Sequence, residues 1–502
     1  MANVLPSQLM QSVLGNLYDV LVNGDGKVTP PSEDNFLSWC SPGIPYDENQ
    51  LEFLEQGFSG KLKQAEIDKF LQGEKRALTP EERNELIAQD TTRMYLQAEM
   101  FSRLVDFIPD VANKDNHLAR LVMKNDEGSL SDVYEEVLKM SQVVKTELDD
   151  KTKEKIEKFR ALLSVEKENL LGEMVTVPSP LVDAYTTKMQ EYEAAVIAYN
   201  EHRINALVAK DPQAVHYWKL NGKTLENRVK SSMAAWISSG FKKDYEGISA
   251  FIDQVMSRDL TLLKADYKHL FETAGIKSEF AGDFLPTFAA PANFPKAGGW
   301  TTFTFNQSHF NSYSNSKSNR WGGGGGFSLG IFSIGGKAGG KKDEFSSGFD
   351  SSKFSLSFQM CQVPIIRPWF KRNFIASNYW RYDKKSPSVA NAVLSDGGNP
   401  PKGKMVAYPT SIVFIRNLEL KFAENTGFSN WMKKEIDGGG GISIGPFFAG
   451  GSYGASSSQS VSNYTHNSQS VKVPGMQIIG FKCHVLPKSP NPNPTIKESS
   501  WV

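Results

Sequence analysis

Two glycine-rich stretches 115 residues apart constrain this chain more than any other feature. Gly323 to Gly336 aligns without a gap to Gly438 to Gly451, with nine of fourteen positions identical. Low complexity accounts for the glycines alone. It does not account for the shared Ser328/Ser443 and Phe332/Phe447, nor for Phe327/Ile442 and Leu329/Ile444, which keep apolar character at alternate positions. At the same offset Phe303-Thr304-Phe305 falls on Leu418-Glu419-Leu420, and each copy closes on a cysteine-bearing stretch, Cys361 to Pro364 and Cys483 to Leu486. Each copy reads as an alternating strand, a polar arm, a glycine-rich apolar segment, a Ser-rich return and a second strand. The expectation is an antiparallel β domain of two internal repeats, about 300–368 and 415–490, with a turn at Asp396 to Pro401 between them.

Charge sets the boundary of that domain. The 502 residues carry a formal net charge of +0, but residues 291–502 hold 23 Lys and Arg against 10 Asp and Glu, a net +13, which leaves −13 on residues 1–290. Of the 41 glycines, 27 also lie beyond residue 290, so charge and composition change together at a domain junction.

Before that junction apolar residues recur at helical spacing, interrupted at Thr29-Pro30-Pro31, Ser41-Pro42-Gly43 and Val177 to Pro180. Thr79-Pro80-Glu81-Glu82 supplies an N-cap, a first-position proline and acids in the first turn, which predicts a helix running towards Phe107. Tyr185, Met189, Tyr192, Val196 and Tyr199 step 4, 3, 4, 3 and form one apolar seam. The seam predicts a long antiparallel helical hairpin, with Val137, Met140, Val144, Leu148, Ile156, Phe159 and Leu163 as the partner stretch. The expected class is therefore α+β: a helical N-terminal region over 1–125, the long hairpin and a bundle over 126–290, and a duplicated Gly/Ser-rich β domain over 291–502.

No catalytic constellation stands out, and the expectation is a protein that is not an enzyme. The seven histidines show no metal spacing, the three cysteines match no zinc pattern, and no nucleophile elbow is present. Gly335 to Lys342 approaches a phosphate loop but puts Lys342 where a Ser or Thr belongs. Asn23 to Val28 approaches a calcium loop but has Leu21 at the first ligand position. No cofactor, metal or small-molecule substrate is expected, and the overall charge argues against a nucleic-acid partner. There is no run of roughly 20 apolar residues, and Met1 to Pro6 lacks a signal peptide's basic flank and apolar core. Synthesis as a soluble cytoplasmic protein, with release by a route needing no signal peptide, is the corresponding expectation. Cys40, Cys361 and Cys483 fit a reducing compartment and read as buried small residues.

The glycine-rich segments carry the functional reading. Phe327, Leu329, Ile331, Phe332 and Ile334 in the first copy, and Ile442, Ile444, Phe447 and Phe448 in the second, alternate with Ser or Gly between Ser/Asn-rich arms. From Gly438 to Val471 no residue is formally charged. Over about residues 300–487 this pattern resembles, as a class, the membrane-inserting hairpins of β-pore-forming proteins, whose strands alternate lipid-facing apolar with lumen-facing small polar residues. The resemblance implies that those nine residues contact the membrane. It also implies a homo-oligomer acting on an anionic membrane surface. Lys337, Lys341 and Lys342, and the basic-aromatic cluster of Arg367, Lys371 and Arg372 around Trp369-Phe370, are the head-group candidates. Trp300, Trp321 and Trp431 near strand ends suit an interfacial position. The alternative is a self-assembling structural or binding protein without membrane activity, in which glycine serves close sheet packing and the opposed charges drive head-to-tail association.

Overall fold

The computed structural model describes residues 3–4, 6–22, 34–57, 79–109, 128–145, 150–168, 174–208, 212–256, 260–277, 283–306, 331–334, 344–345, 349–350, 353–398, 401–423, 427–437, 441–450, 464–467 and 469–502. The first half carries β1 (Asn3–Val4), α1 (Pro6–Leu21), β2 (Asn35–Tyr46), α2 (Glu52–Gln56), α3 (Pro80–Val105), α4 (Leu130–Met140), β3 (Ser141–Val143), α5 (Asp150–Leu163), β4 (Ser164–Glu168), β5 (Met174–Pro178), α6 (Pro180–Val208), α7 (Pro212–Ser238), α8 (Lys242–Met256) and α9 (Leu260–Ala274). The second half carries β6 (Phe288–Ala289), β7 (Thr301–Asn306), β8 (Ile331–Ile334), β9 (Glu344–Phe345), β10 (Phe349–Asp350), β11 (Ser355–Ile366), α10 (Arg372–Ala376), β12 (Trp380–Tyr382), β13 (Ala407–Lys421), α11 (Gly427–Asp437), β14 (Gly441–Ile444), β15 (Phe447–Gly450), β16 (Thr465–His466), β17 (Ser470–Val473) and β18 (Met476–Val485). Helices lead and an antiparallel sheet follows, an α+β fold.

The local signals act as expected at α3. Thr79 accepts from the Glu82 amide at 3.2 Å and Glu82 returns the bond to the Thr79 amide at 2.8 Å, a reciprocal box that satisfies two orphan donors. The apolar seam of α6 also forms, but its partner differs from the expected one. Tyr185 and Tyr192 meet Trp236 of α7 at 5.2 and 5.6 Å, and Tyr199 meets Trp218 at 5.3 Å. The long hairpin is therefore α6–α7, because the β4–β5 ribbon intervenes between α5 and α6 while only a short connection separates α6 from α7.

β13 is the spine of the central sheet. It pairs antiparallel with β11 on one side, and with β17 and then β18 on the other; β11 pairs on with β7 and β6. The duplication is written into the hydrogen-bond register. In the first copy Asn306, Phe305, Thr304 and Phe303 face Ser355, Leu356, Ser357 and Phe358. In the second, Lys421, Leu420, Glu419 and Leu418 face Ser470, Val471, Lys472 and Val473, each pair displaced by the same 115 residues. Phe303, Phe305, Leu356 and Phe358, like Leu418, Leu420, Val471 and Val473, are buried, so the alternation predicted for both copies produces one core face.

The helical reading of residues 1–125 needs amending, beyond the two-residue β1. Asn35 to Tyr46 is a strand, β2, paired antiparallel to β18 across Phe36↔Cys483 and Met476↔Tyr46. Pro42 and Pro45, which look like helix breaks, sit on a strand that among the described residues pairs on one side, where a missing amide donor is tolerated. The principal core gathers α1, β2, part of α3 and the central sheet, and α6 lies against β7, β11 and α1. A second cluster joins α4, α8 and α9 to Trp369, Phe374 and Trp380.

Candidate functional site

The two glycine-rich segments meet. Gly441 to Ile444 in β14 pairs antiparallel with Ile334 to Ile331 in β8, within a four-stranded sheet of order β15-β14-β8-β9. β14 and β15 form a two-residue hairpin, Ile444↔Phe447 and Ser443↔Phe448, around Gly445 and Pro446. Ser443 Oγ donates to the Gly445 carbonyl at 2.8 Å, inside the turn. Gly445 has φ +56, a left-handed conformation that an L side chain enters at a cost.

Four elements hold this hairpin. Phe447 packs on Phe358 of β11 with ring centroids 5.4 Å apart. The Gln477 side chain brackets Phe448, accepting from its amide at 2.8 Å and donating to its carbonyl at 3.1 Å. On β2, a Cβ at Gly43 would lie 2.1 Å from the Pro446 carbonyl oxygen, so only glycine permits this approach. On α1, Met10 Sδ sits 3.1 Å from where a Gly445 Cβ would be. Ile442, Ile444, Phe447 and Phe448 are consequently between 0 and 2% exposed. Of the other apolar candidates, β8 supplies the backbone of Ile331, Phe332 and Ile334, while Phe327 and Leu329 lie outside the described residues.

The head-group candidates separate. The Arg367 guanidinium donates to the carbonyls of Pro409 and Val105, each at 2.7 Å, beside Asp106. Burial brings its pKa down to about 10, with Asp106 pulling the other way, and its guanidinium clamps β13 to the end of α3. Lys371 is half-buried, with its amide on the Tyr134 hydroxyl at 3.3 Å, while Arg372 is exposed. Trp369 is buried and Phe370 packs between Tyr134 and Tyr408, both at 5.1 Å, so the cluster's aromatic residues serve the second core. Lys337, Lys341 and Lys342 lie outside the described residues, as do the phosphate-loop and calcium-loop stretches and Trp321. Trp300 stacks under Arg416, with 4.2 Å between ring centre and guanidinium carbon, and donates to the Phe294 carbonyl at 3.1 Å.

Cys40, Cys361 and Cys483 are free and buried, and desolvation raises all three thiols, Cys361 to about 12. Among the described residues no group of His, Cys, Asp and Glu is arranged to hold a metal ion, and no helix is long and apolar enough to cross a membrane. Sequence reasoning did not reach the Met10 and Gly43 contacts, whose partners lie hundreds of residues away, nor the Gln477 contact with Phe448, 29 residues away. One signal was available. Between the paired strands of each copy lies an excursion of the same length, 48 residues, 307–354 and 422–469.

Comparison with protein-family models, with curated proteins and with solved structures finds no match.

Proposed function

We propose that this chain oligomerises and inserts into membranes as a pore-forming, toxin-like protein, with its two 48-residue excursions supplying the inserting β segments. The observation that carries this reading is the matched pair of ladders: both excursions leave one sheet from pairs in identical register, Asn306↔Ser355 and Lys421↔Ser470. Each excursion is long enough for two strands of the roughly 9–11 residues that a bilayer requires. The second keeps the 32 residues from Gly438 to Gln469 free of formal charge. The apolar residues are stored against the sheet, so insertion requires their release from Met10, Gly43 and Gln477.

A second reading has its own observation. Complete burial of Ile442, Ile444, Phe447 and Phe448 is what a core segment of a self-assembling structural or binding protein would show. Dye release from vesicles with and without anionic lipid, with negative-stain imaging of the same mixture, separates the two. Leakage with ring-shaped particles supports insertion; particles or filaments formed without lipid, and no leakage, favour assembly alone.

A further inference from the structure

α7 is a basic helix in the acidic half of the chain. It holds Lys219, Lys223, Arg228 and Lys230 against a single acid, Glu226, a net +3 within residues 1–290, whose total is −13. Trp218, Leu225, Val229 and Trp236 recur at intervals of seven, four and seven and turn towards α6, where Trp218 meets Tyr199 and Trp236 meets Tyr185 and Tyr192. A different face of α6 meets β11, through Gln190 on Cys361 and Glu193 on Gln362. α7 is thus the outer layer of the hairpin.

The face of α7 turned away from α6 mixes cations with uncovered apolar side chains. Val215, Lys219 and Lys223 are four residues apart, and Lys230 and Ile237 continue that row at intervals of seven; His216 and Leu220 form the row beside it. All seven are exposed, and Leu220, at 65%, is the most exposed large apolar side chain among the described residues. Tyr217, also exposed, flanks the row against His202, with ring centroids 4.6 Å apart. Beyond the helix end Phe241 is exposed as well, at φ +52, a left-handed conformation that a bulky residue enters at a cost, and Lys242 and Lys243 follow it. Five of the fifteen exposed large apolar side chains among the described residues therefore fall within 215–241, a concentration that a merely solvated helix face does not need.

We infer that the outer face of α7 is a docking surface for an anionic lipid membrane; this deepens the pore-forming reading, on which its choice of a membrane rests. The charge is complementary to phosphate-bearing head groups. Lys219, Lys223 and Lys230 carry their ammonium groups on long stems that reach such head groups while Val215, Leu220 and Ile237 enter the boundary with the acyl chains. Glu226 bonds Lys223 at 3.1 Å and also Lys230, which keeps the row in order and leaves its cations in excess. From Val215 to Ile237 the ridge is about 30 Å long. It is convex, so a flat fluid surface meets it along its whole length, whereas a protein partner would need a matching groove.

The test is flotation of the full chain with vesicles of phosphatidylcholine, with and without phosphatidylserine, and dye release from the same vesicles. Lys219→Gln, Lys223→Gln and Lys230→Gln combined should weaken binding to the phosphatidylserine vesicles roughly tenfold or more, and high salt should erase that difference. Val215→Ser with Leu220→Ser should weaken binding severalfold to the same vesicles. These side chains are exposed, so the urea midpoint should stay that of the unaltered chain, and Lys151→Gln on α5, another exposed lysine, should bind as before. No binding by the unaltered chain, or equal binding by the α7 variants, overturns the inference. Loss of self-association by the lysine variant in the absence of lipid also overturns it, because the ridge would then join copies of the chain. Binding through α7 without dye release removes the pore-forming reading and leaves the docking surface; dye release that the α7 variants do not diminish removes the docking surface alone.

Discussion

The two copies share a backbone register and differ in what they attach to it. At the base the first copy packs aromatic residues, with Phe303 stacked on Phe358 at 5.0 Å, where the second uses Leu418 and Val473. In the middle the second copy is uncharged and Gly441 to Gly450 is buried throughout, whereas the first copy's sequence carries Lys337, Lys341, Lys342, Asp343 and Glu344 around its apolar segment. Side chains have diverged while the 115-residue offset of the ladders and the 48-residue excursions have not. Strand pairing tolerates substitution but not slippage, because a one-residue slip turns every side chain to the other face.

The largest test of this contrast is at the buried hairpin. Phe447→Ala should cost about 3–5 kcal/mol, read as a lowered urea midpoint, because it opens a cavity against Phe358. A loss below about 1 kcal/mol would mean that the hairpin rests on the core without belonging to it. Gly445→Ala should cost about 1–2 kcal/mol from its left-handed backbone. Adding Met10→Ala should relieve the crowding without removing that backbone cost, as two-variant thermal melts can show. Phe305→Leu, which gives the first ladder the residue found at Leu420 of the second, should cost about 1 kcal/mol, since both packings serve the same register.

The smallest effect is a slope. Glu193 on α6 touches both copies, accepting from Gln362 of β11 at 3.3 Å and interacting with Lys482 of β18. Burial raises its pKa against the opposing pull of Lys482 and the Gln362 bond. The folded state thus binds this proton more tightly than the unfolded chain, and stability falls as pH rises from the ordinary carboxylate value through the raised one. Glu193→Gln should flatten that part of the pH profile of the denaturation midpoint; an unchanged slope would show that the carboxyl does not link the copies energetically.

How much was legible follows from the range of each interaction. The repeat, the antiparallel ladders and the seam on α6 are written in local spacing, and Tyr185, Tyr192 and Tyr199 do make the contacts of a helical hairpin. Their partner was not legible, because Trp218 and Trp236 do not show in a pattern confined to α6. β2 was hidden by its prolines, which are tolerated because among the described residues it is an edge strand paired with β18. Arg367 looked like a surface cation among aromatic residues, and only the fold brings the Val105 and Pro409 carbonyls to it. At the site, the alternation of apolar and small residues was visible, while its burial against Met10, Gly43 and Gln477 was not.

The pairing of β2 with β18 carries a further consequence, for synthesis. Phe36 meets Cys483, so β2 waits for a partner made more than 400 residues later. At a translation rate of roughly 5–20 residues per second, β2 emerges about 20–90 s before β18 exists to pair with it. During that interval Phe36, Leu37, Trp39 and the apolar length of α1, all buried in the finished fold, have no sheet to cover them. Phe36, Leu37 and Trp39 are thus among the residues whose burial waits on a distant strand, and β2 pairs only after Met476–Val485 has been made.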